Sequence, residues 1–151
     1  MTTAADILKT PVRTLPAETT LRDAAALLGA WQVSGAPVVD ESGALVGIVS
    51  ESDLLSEARK QAGLPRTAAF GVWLPVEDAL RRIYHDGAHL LVREVMTRDV
   101  LTATADTPVD ALGATMVKRR INRIPIVDAE GALLGIVTRE DVLRAVFADR
   151  D

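Results

Sequence analysis

The sequence predicts an α+β fold made of two β-α-β-β-α repeats with a helical insert between them. Two observations carry this. The stretch Gly47 to Asp53, G-I-V-S-E-S-D, returns as Gly135 to Asp141, G-I-V-T-R-E-D, and the same offset pairs Pro37 with Pro125, Asp40 with Asp128 and Gly43 with Gly131. Short β-branched runs and Ala/Leu-rich segments at helical spacing also follow one another in the same order in both halves. A chain of 151 residues is long enough for one compact core or for two small units that bury their faces against each other, and the duplication favours the second.

In the first copy, Val12 to Leu15 reads as a short strand after Pro11, and Thr19 as the N-cap of a helix with Leu21, Ala24, Ala25, Leu28 and Trp31 on one face. Ala36 to Asp40 reads as a strand, Glu41-Ser42-Gly43 as a tight turn and Leu45 to Val49 as the neighbouring strand. Ser50 then opens a helix through Asp53, Leu54, Leu55 and Ala58, which fades at Gly63 and Pro65.

The second copy repeats the order. Strand Val100 to Thr104 is followed by a helix started by Thr107 and Pro108, with Val109, Leu112, Met116 and Val117 facing inward. Strand Ile124 to Val127, turn Ala129-Glu130-Gly131, strand Leu133 to Val137 and a helix through Leu143, Val146 and Phe147 complete it. Repeat one is expected over residues 6–58, the insert over 59–92 and repeat two over 93–151. From Pro75, the insert keeps a helical period through Val76, Ala79, Leu80, Ile83, Gly87, Leu90 and Leu91. That stripe must be buried, either as a cover for the repeats or in a subunit contact.

With 48% hydrophobic and 25% charged residues but only 3% aromatic, the core must be aliphatic. The lack of cysteine excludes disulfides and thiolate metal sites and is compatible with a reducing cytoplasm. No basic start with an apolar run, and no run of spanning length, is found, so a soluble protein with no membrane segment is expected. The net charge of −4 argues against general attraction to nucleic acid; a local patch at Lys118 to Arg123 would need a steep salt dependence.

A serine or threonine followed three residues later by Asp, at the end of a strand, describes a capping box. It also describes a binding device: the helix start offers N–H groups and a positive dipole end to a phosphate, and the carboxylate offers acceptors to ribose hydroxyls. Spacing alone leaves both readings open. His85 and His89 could bridge a metal, but no third ligand is evident, and no catalytic motif is recognisable. Trp31 and Trp73 read as packing residues. An enzyme site at His85, Asp86 and His89 is the outlying alternative.

The runs S-G-A-P-V-V-D with G-A-L-V-G-I-V-S-E-S-D-L-L, and I-N-R-I-P-I-V-D-A-E-G-A-L-L-G-I-V-T-R-E-D-V-L, resemble the CBS domain, the repeat named after cystathionine β-synthase; Glu94-Val95-Met96-Thr97 resembles its lead-in. The resemblance covers most of the chain outside the insert. It implies two repeats packed as a pseudo-twofold module with clefts for AMP, ADP, ATP or S-adenosylmethionine, and modules that pair into a homodimer. By the same resemblance, Asp53 and Asp141 would hold a ribose and Ser50 and Thr138 would lie near phosphates. Ala36-Pro37 and Ile124-Pro125 would border the base, with Val12 and Val100 from the lead-in strands.

The copies differ where phosphate would be handled. Copy two has Arg139 between Thr138 and Asp141, and Lys118, Arg119, Arg120 and Arg123 nearby; copy one has Glu51, Ala30, Trp31, Gln32 and Gly35. Arginine offers phosphate bidentate contacts, whereas Glu repels it. The stronger expectation rests on Thr138 and Asp141, although cations also favour a helix C-terminus without any ligand. The expected function is a non-catalytic sensor with an adenine nucleotide as regulatory ligand and no obligatory cofactor, signalling to a protein partner or through its oligomeric state. The alternative is a ligand-independent interaction dimer in which the motifs only cap helices.

Overall fold

The computed structural model describes residues 1–61 and 89–148. In chain order the elements are α1 (Ala4–Ile7), β1 (Leu15–Pro16), α2 (Leu21–Trp31), β2 (Gly35–Val39), β3 (Leu45–Ser50), α3 (Glu51–Gln61), α4 (Val92–Val95), α5 (Val109–Arg119), β4 (Arg123–Val127), β5 (Leu133–Thr138) and α6 (Arg139–Ala148). The duplication is thus visible as helix, two strands and helix in each half. His85, Asp86, Trp73 and the stripe from Pro75 to Gly87 lie outside the described residues.

Two compact units form, and each combines segments from both halves of the chain. The repeat-one unit comprises Thr14–Ser42 and Val46–Val100; the repeat-two unit comprises Met1–Arg13, Gly43–Leu45 and Leu101–Asp151. In the repeat-one unit the sheet order is β1-β2-β3, with β1 parallel to β2 through Leu15↔Val38 and Pro16↔Val39. Its core joins Leu21, Ala24 and Leu28 of α2 to Val38, Val49, Leu54, Val92 and Met96, with Trp31 packed against it. In the repeat-two unit β4 and β5 are antiparallel, and Val109, Leu112 and Met116 of α5 pack with Ile124, Ile126, Val137 and Val142, with Ala4 of α1 among them. The middles of β2 and β4 are buried at three consecutive positions, which explains their unbroken apolar runs.

The turns account for two of the echoed residues. Asp40 accepts from the N–H and hydroxyl of Ser42, and Asp128 accepts from the N–H groups of Glu130 and Ala132. Gly43 and Gly131 sit at φ of 85° and 83°, a region that a side chain disfavours.

Gly47 and Gly135 are required for a different reason. In the repeat-two unit the lead-in of the first copy runs beside β5, where the Lys9 N–H donates to the Ile136 carbonyl at 2.9 Å. A Cβ on Gly135 would lie 2.6 Å from Leu8 Cδ1 and 2.8 Å from the Lys9 carbonyl oxygen. In the repeat-one unit Thr97 and Ile48 exchange two backbone hydrogen bonds, and a Cβ on Gly47 would lie 2.5 Å from Met96 Sδ and 2.9 Å from the Thr97 carbonyl oxygen.

Several local expectations are corrected. Val12 lies outside any strand and only Leu15–Pro16 pairs. Val100 to Thr104 forms no strand beyond a single parallel bridge from Ala103 to Ile126, because Thr104 turns instead: its carbonyl accepts from Thr107 N–H and its own N–H donates to the Thr107 hydroxyl. That occupies Thr107, so Pro108 is the N-cap of α5; in the first copy Thr20, not Thr19, caps α2 by accepting from Asp23 N–H. Leu90 and Leu91 are not helical. The Leu90 carbonyl accepts from Leu21 N–H, and Leu91 is the N-cap of α4. Val117 points outward and is 78% exposed, since Met116 and Leu112 already fill the inner face of α5. Helix α1 was not anticipated; Asp6 accepts from the Thr3 N–H at its start.

Replacing Gly135 by Ala forces the lead-in backbone away from β5 and is expected to cost about 1–3 kcal/mol in chemical denaturation. Gly29, with nothing within 4 Å of its added Cβ, is the contrast. Gly29→Ala is expected to stabilise α2 by up to about 1 kcal/mol, and equal responses of the two variants would contradict this account.

Candidate functional site

In both copies the second strand of the hairpin ends in a hydroxyl residue and the helix begins immediately. The Thr138 N–H and hydroxyl both donate to Asp141 Oδ2 at 2.8 Å, and the Asp141 N–H points back at Thr138 Oγ1 at 3.4 Å. Ser50 and Asp53 repeat this, with 2.8 and 3.1 Å to Oδ2 and 3.3 Å in return. The capping box is therefore real in each copy. It occupies one oxygen of each carboxylate and leaves Oδ1 to other partners.

Those partners differ. In the repeat-two unit Asp141 Oδ1 lies 3.7 Å from Lys9 Nζ and 3.6 Å from the Arg144 guanidinium. Asp141 is only 4% exposed, while the Lys9 and Arg144 side chains are 53% and 71% exposed. The two cations thus stand at the solvent side of a buried carboxylate, at separations set by charge rather than by tight hydrogen bonds. Around half-buried Asp53, no cation comes within ion-pair distance among the described residues. Arg144 lies one helical turn from Asp141 and its approach is legible as i,i+3 spacing. Lys9 is brought in by the lead-in segment that bridges to Ile136.

The other expected site residues divide between the units. The repeat-two unit gathers Val12, Arg120, Arg123, Ile124, Pro125, Thr138, Arg139 and Asp141; the repeat-one unit gathers Val100, Ala36, Pro37, Ser50 and Asp53. Arg123 pairs in register with Thr138 and Ile124 with Val137, so this end of β4 adjoins the hydroxyl. Ile124, Pro125, Ala36 and Pro37 are buried in the cores. The Arg139 N–H donates to the Asn122 carbonyl at 2.8 Å, as Glu51 N–H does to Ser34. Arg120 and Arg139 border an apolar groove between α5 and α6 that Val117, Ile121 and Leu143 also line. Arg120, in left-handed conformation at φ 55°, ends α5 as Gln32 at 56° ends α2. No cluster of three or more metal-ligating side chains occurs among the described residues, nor is any helix there long and apolar enough to cross a membrane.

This twice-built hydroxyl–carboxylate helix start coincides with a family match. The model of the CBS domain matches residues 4–60 and again 92–148. The chain belongs to the CBS domain family. As a CBS pair it is 37% identical, over 94% of its own length and 89% of the other's, to an uncharacterised protein of Methanocaldococcus jannaschii. Among solved structures, the pair resembles CBSX2 of Arabidopsis thaliana in complex with AMP, with a TM-score of 0.77, 26% identity and both chains fully covered. It also resembles the CBS domain pair of protein MJ0100 in complex with 5′-methylthioadenosine and S-adenosyl-L-methionine, with a TM-score of 0.72, 29% identity and coverage of 100% of this chain and 99% of that one.

Because the Thr138 hydroxyl takes part in both directions of the cap, Thr138→Ala is expected to lower stability by about 1 kcal/mol in denaturant titrations. Thr138→Ser keeps the oxygen and is expected to retain most of it; equal losses in the two variants would separate the cap from the hydroxyl.

Proposed function

We propose that this CBS pair is a non-catalytic regulatory module that binds an adenosine-containing ligand at the Thr138–Asp141 helix start. The observation that carries the reading is the buried Asp141 carboxylate, whose Oδ2 is held by Thr138 while Oδ1 faces the exposed side chains of Lys9 and Arg144 at 3.7 and 3.6 Å. A carboxylate fixed in that way is a preorganised acceptor for the two hydroxyls of a ribose. Its cap holds the rotamer, so the ligand does not have to order it. The helix start of α6 and the Thr138 hydroxyl would face the phosphate side, and the β4 end at Ile124 and Pro125 the base. The AMP, methylthioadenosine and S-adenosylmethionine complexes of similar CBS pairs support the ligand class.

Signalling would follow by population shift, with the ligand favouring one arrangement of the module that a protein partner or a second copy reads. The exposed Val117, Leu143 and Phe147 on α5 and α6 support a subunit contact in a homodimer. We place this module in the cytoplasm as part of the same reading.

A second reading is favoured by one observation. Both caps are complete without any ligand, so a constitutive interaction module needs nothing more from Ser50, Asp53, Thr138 and Asp141.

Calorimetry with AMP, ADP, ATP and S-adenosylmethionine separates the two. Binding of at least one, lost in a folded Asp141→Ala variant, is the expected result. Heat from none of the four would leave the interaction module; unchanged affinity in Asp141→Ala would remove Asp141 from the site.

A further inference from the structure

Set at equivalent positions, the two helix starts carry opposite electrostatics. Around Asp141 stand Lys9, Arg144 and, at the first helical position, Arg139. The residues that the duplication places at those positions around Asp53 are Thr97, Ser56 and Glu51. Counting Glu140 and its counterpart Ser52, the repeat-two start holds three cations against two carboxylates, and the repeat-one start holds two carboxylates and no cation. The local fold is otherwise the same: each carboxylate accepts two hydrogen bonds through Oδ2, and each lead-in runs beside the glycine strand.

We propose that the two sites divide ligands by charge, and that Lys9 and Arg144 are the specificity-determining residues that make the Asp141 site select a phosphorylated adenosine over an uncharged one. The assignment rests on the adenosine-site reading of Thr138 and Asp141. Lys9 and Arg144 both approach Oδ1, the oxygen the cap leaves over, and both remain more than half exposed. An incoming ribose that takes Oδ1 displaces the cations from the carboxylate without burying them. They are then free to pair with a phosphate a few ångströms away, so the positive charge is retained and changes partner. An uncharged nucleoside offers no replacement anion and must pull Asp141 away from its two cations for nothing in return. The order of preference at the site follows: nucleotide above nucleoside. At Asp53 the same ribose meets no cation among the described residues, and Glu51 opposes a phosphate, so the preference there is reversed towards neutral or positively charged adenosine compounds.

The test uses AMP and adenosine as probes, by calorimetry on the full chain carrying Asp53→Ala, so that the Asp141 site is read alone. The expected result is AMP affinity above adenosine affinity by about tenfold or more, as for one or two charge-assisted contacts. The ratio should shrink as salt rises and fall towards one in the added double variant Lys9→Met, Arg144→Gln. Both side chains are exposed, and a thermal melt confirms that the variant is folded. A ratio that survives the double substitution overturns the role of Lys9 and Arg144 while leaving the adenosine site standing. A wild-type protein that binds neither probe overturns the site itself, and this inference with it. A chain carrying Asp141→Ala instead should show no preference for AMP; a preference of the same size there would overturn the division by charge.

Discussion

The structure depends on two glycines that let a second backbone lie directly against a strand. At Gly47 and Gly135 the neighbouring segment passes so close that even a methyl group would collide with a main-chain carbonyl. Those segments are not local. The lead-in of the first copy crosses β5 of the second, and the lead-in of the second crosses β3 of the first, each within one compact unit. Each unit is therefore completed by a piece of the other repeat, as α1 shows by burying Ala4 in the repeat-two core and α4 by burying Val92 in the repeat-one core. The backbone bonds of those crossings recur: Ala4 N–H donates to Thr107 and Val109 N–H to Thr2 in one unit, Val92 N–H to Thr19 and Leu21 N–H to Leu90 in the other.

The same crossing builds the candidate site. Without it, Thr138 and Asp141 would be an ordinary helix cap, and their geometry is fully explained as one. With it, Lys9 arrives at the carboxylate oxygen that the cap does not use. Cap and binding site are compatible because a carboxylate has two oxygens. What distinguishes the copies is the charge gathered around the second oxygen, and that is a property of side chains on two segments far apart in the chain, the lead-in with Lys9 and helix α6 with Arg144.

Much of the fold was legible because duplication turns weak local signals into paired ones. The hairpins, both long helices of each copy, the Asp-and-Gly turns and the two S/T-x-x-D helix starts were all readable at the residue level. The failures have a common cause. Val12, Val100, Leu90, Leu91 and helix α1 belong to the lead-in segments, whose conformation is set by backbone partners far away in sequence and not by local periodicity. Val117 was misplaced because the apolar stripe of α5 is wider than the face its own unit buries. Within the candidate site, Thr138, Asp141 and the basic character of copy two were visible in the sequence. Arg144 is within reach of helical spacing as the i,i+3 neighbour of Asp141, whereas Lys9 has no local signal at all, because only the crossing brings it to Asp141.

The most direct test of the account is an NMR titration of the isotope-labelled protein with AMP, following backbone amides. The signals of Lys9, Thr138, Arg139 and Asp141 are expected to move together and to saturate with one dissociation constant. Saturable AMP binding that leaves these four amides unmoved would contradict it.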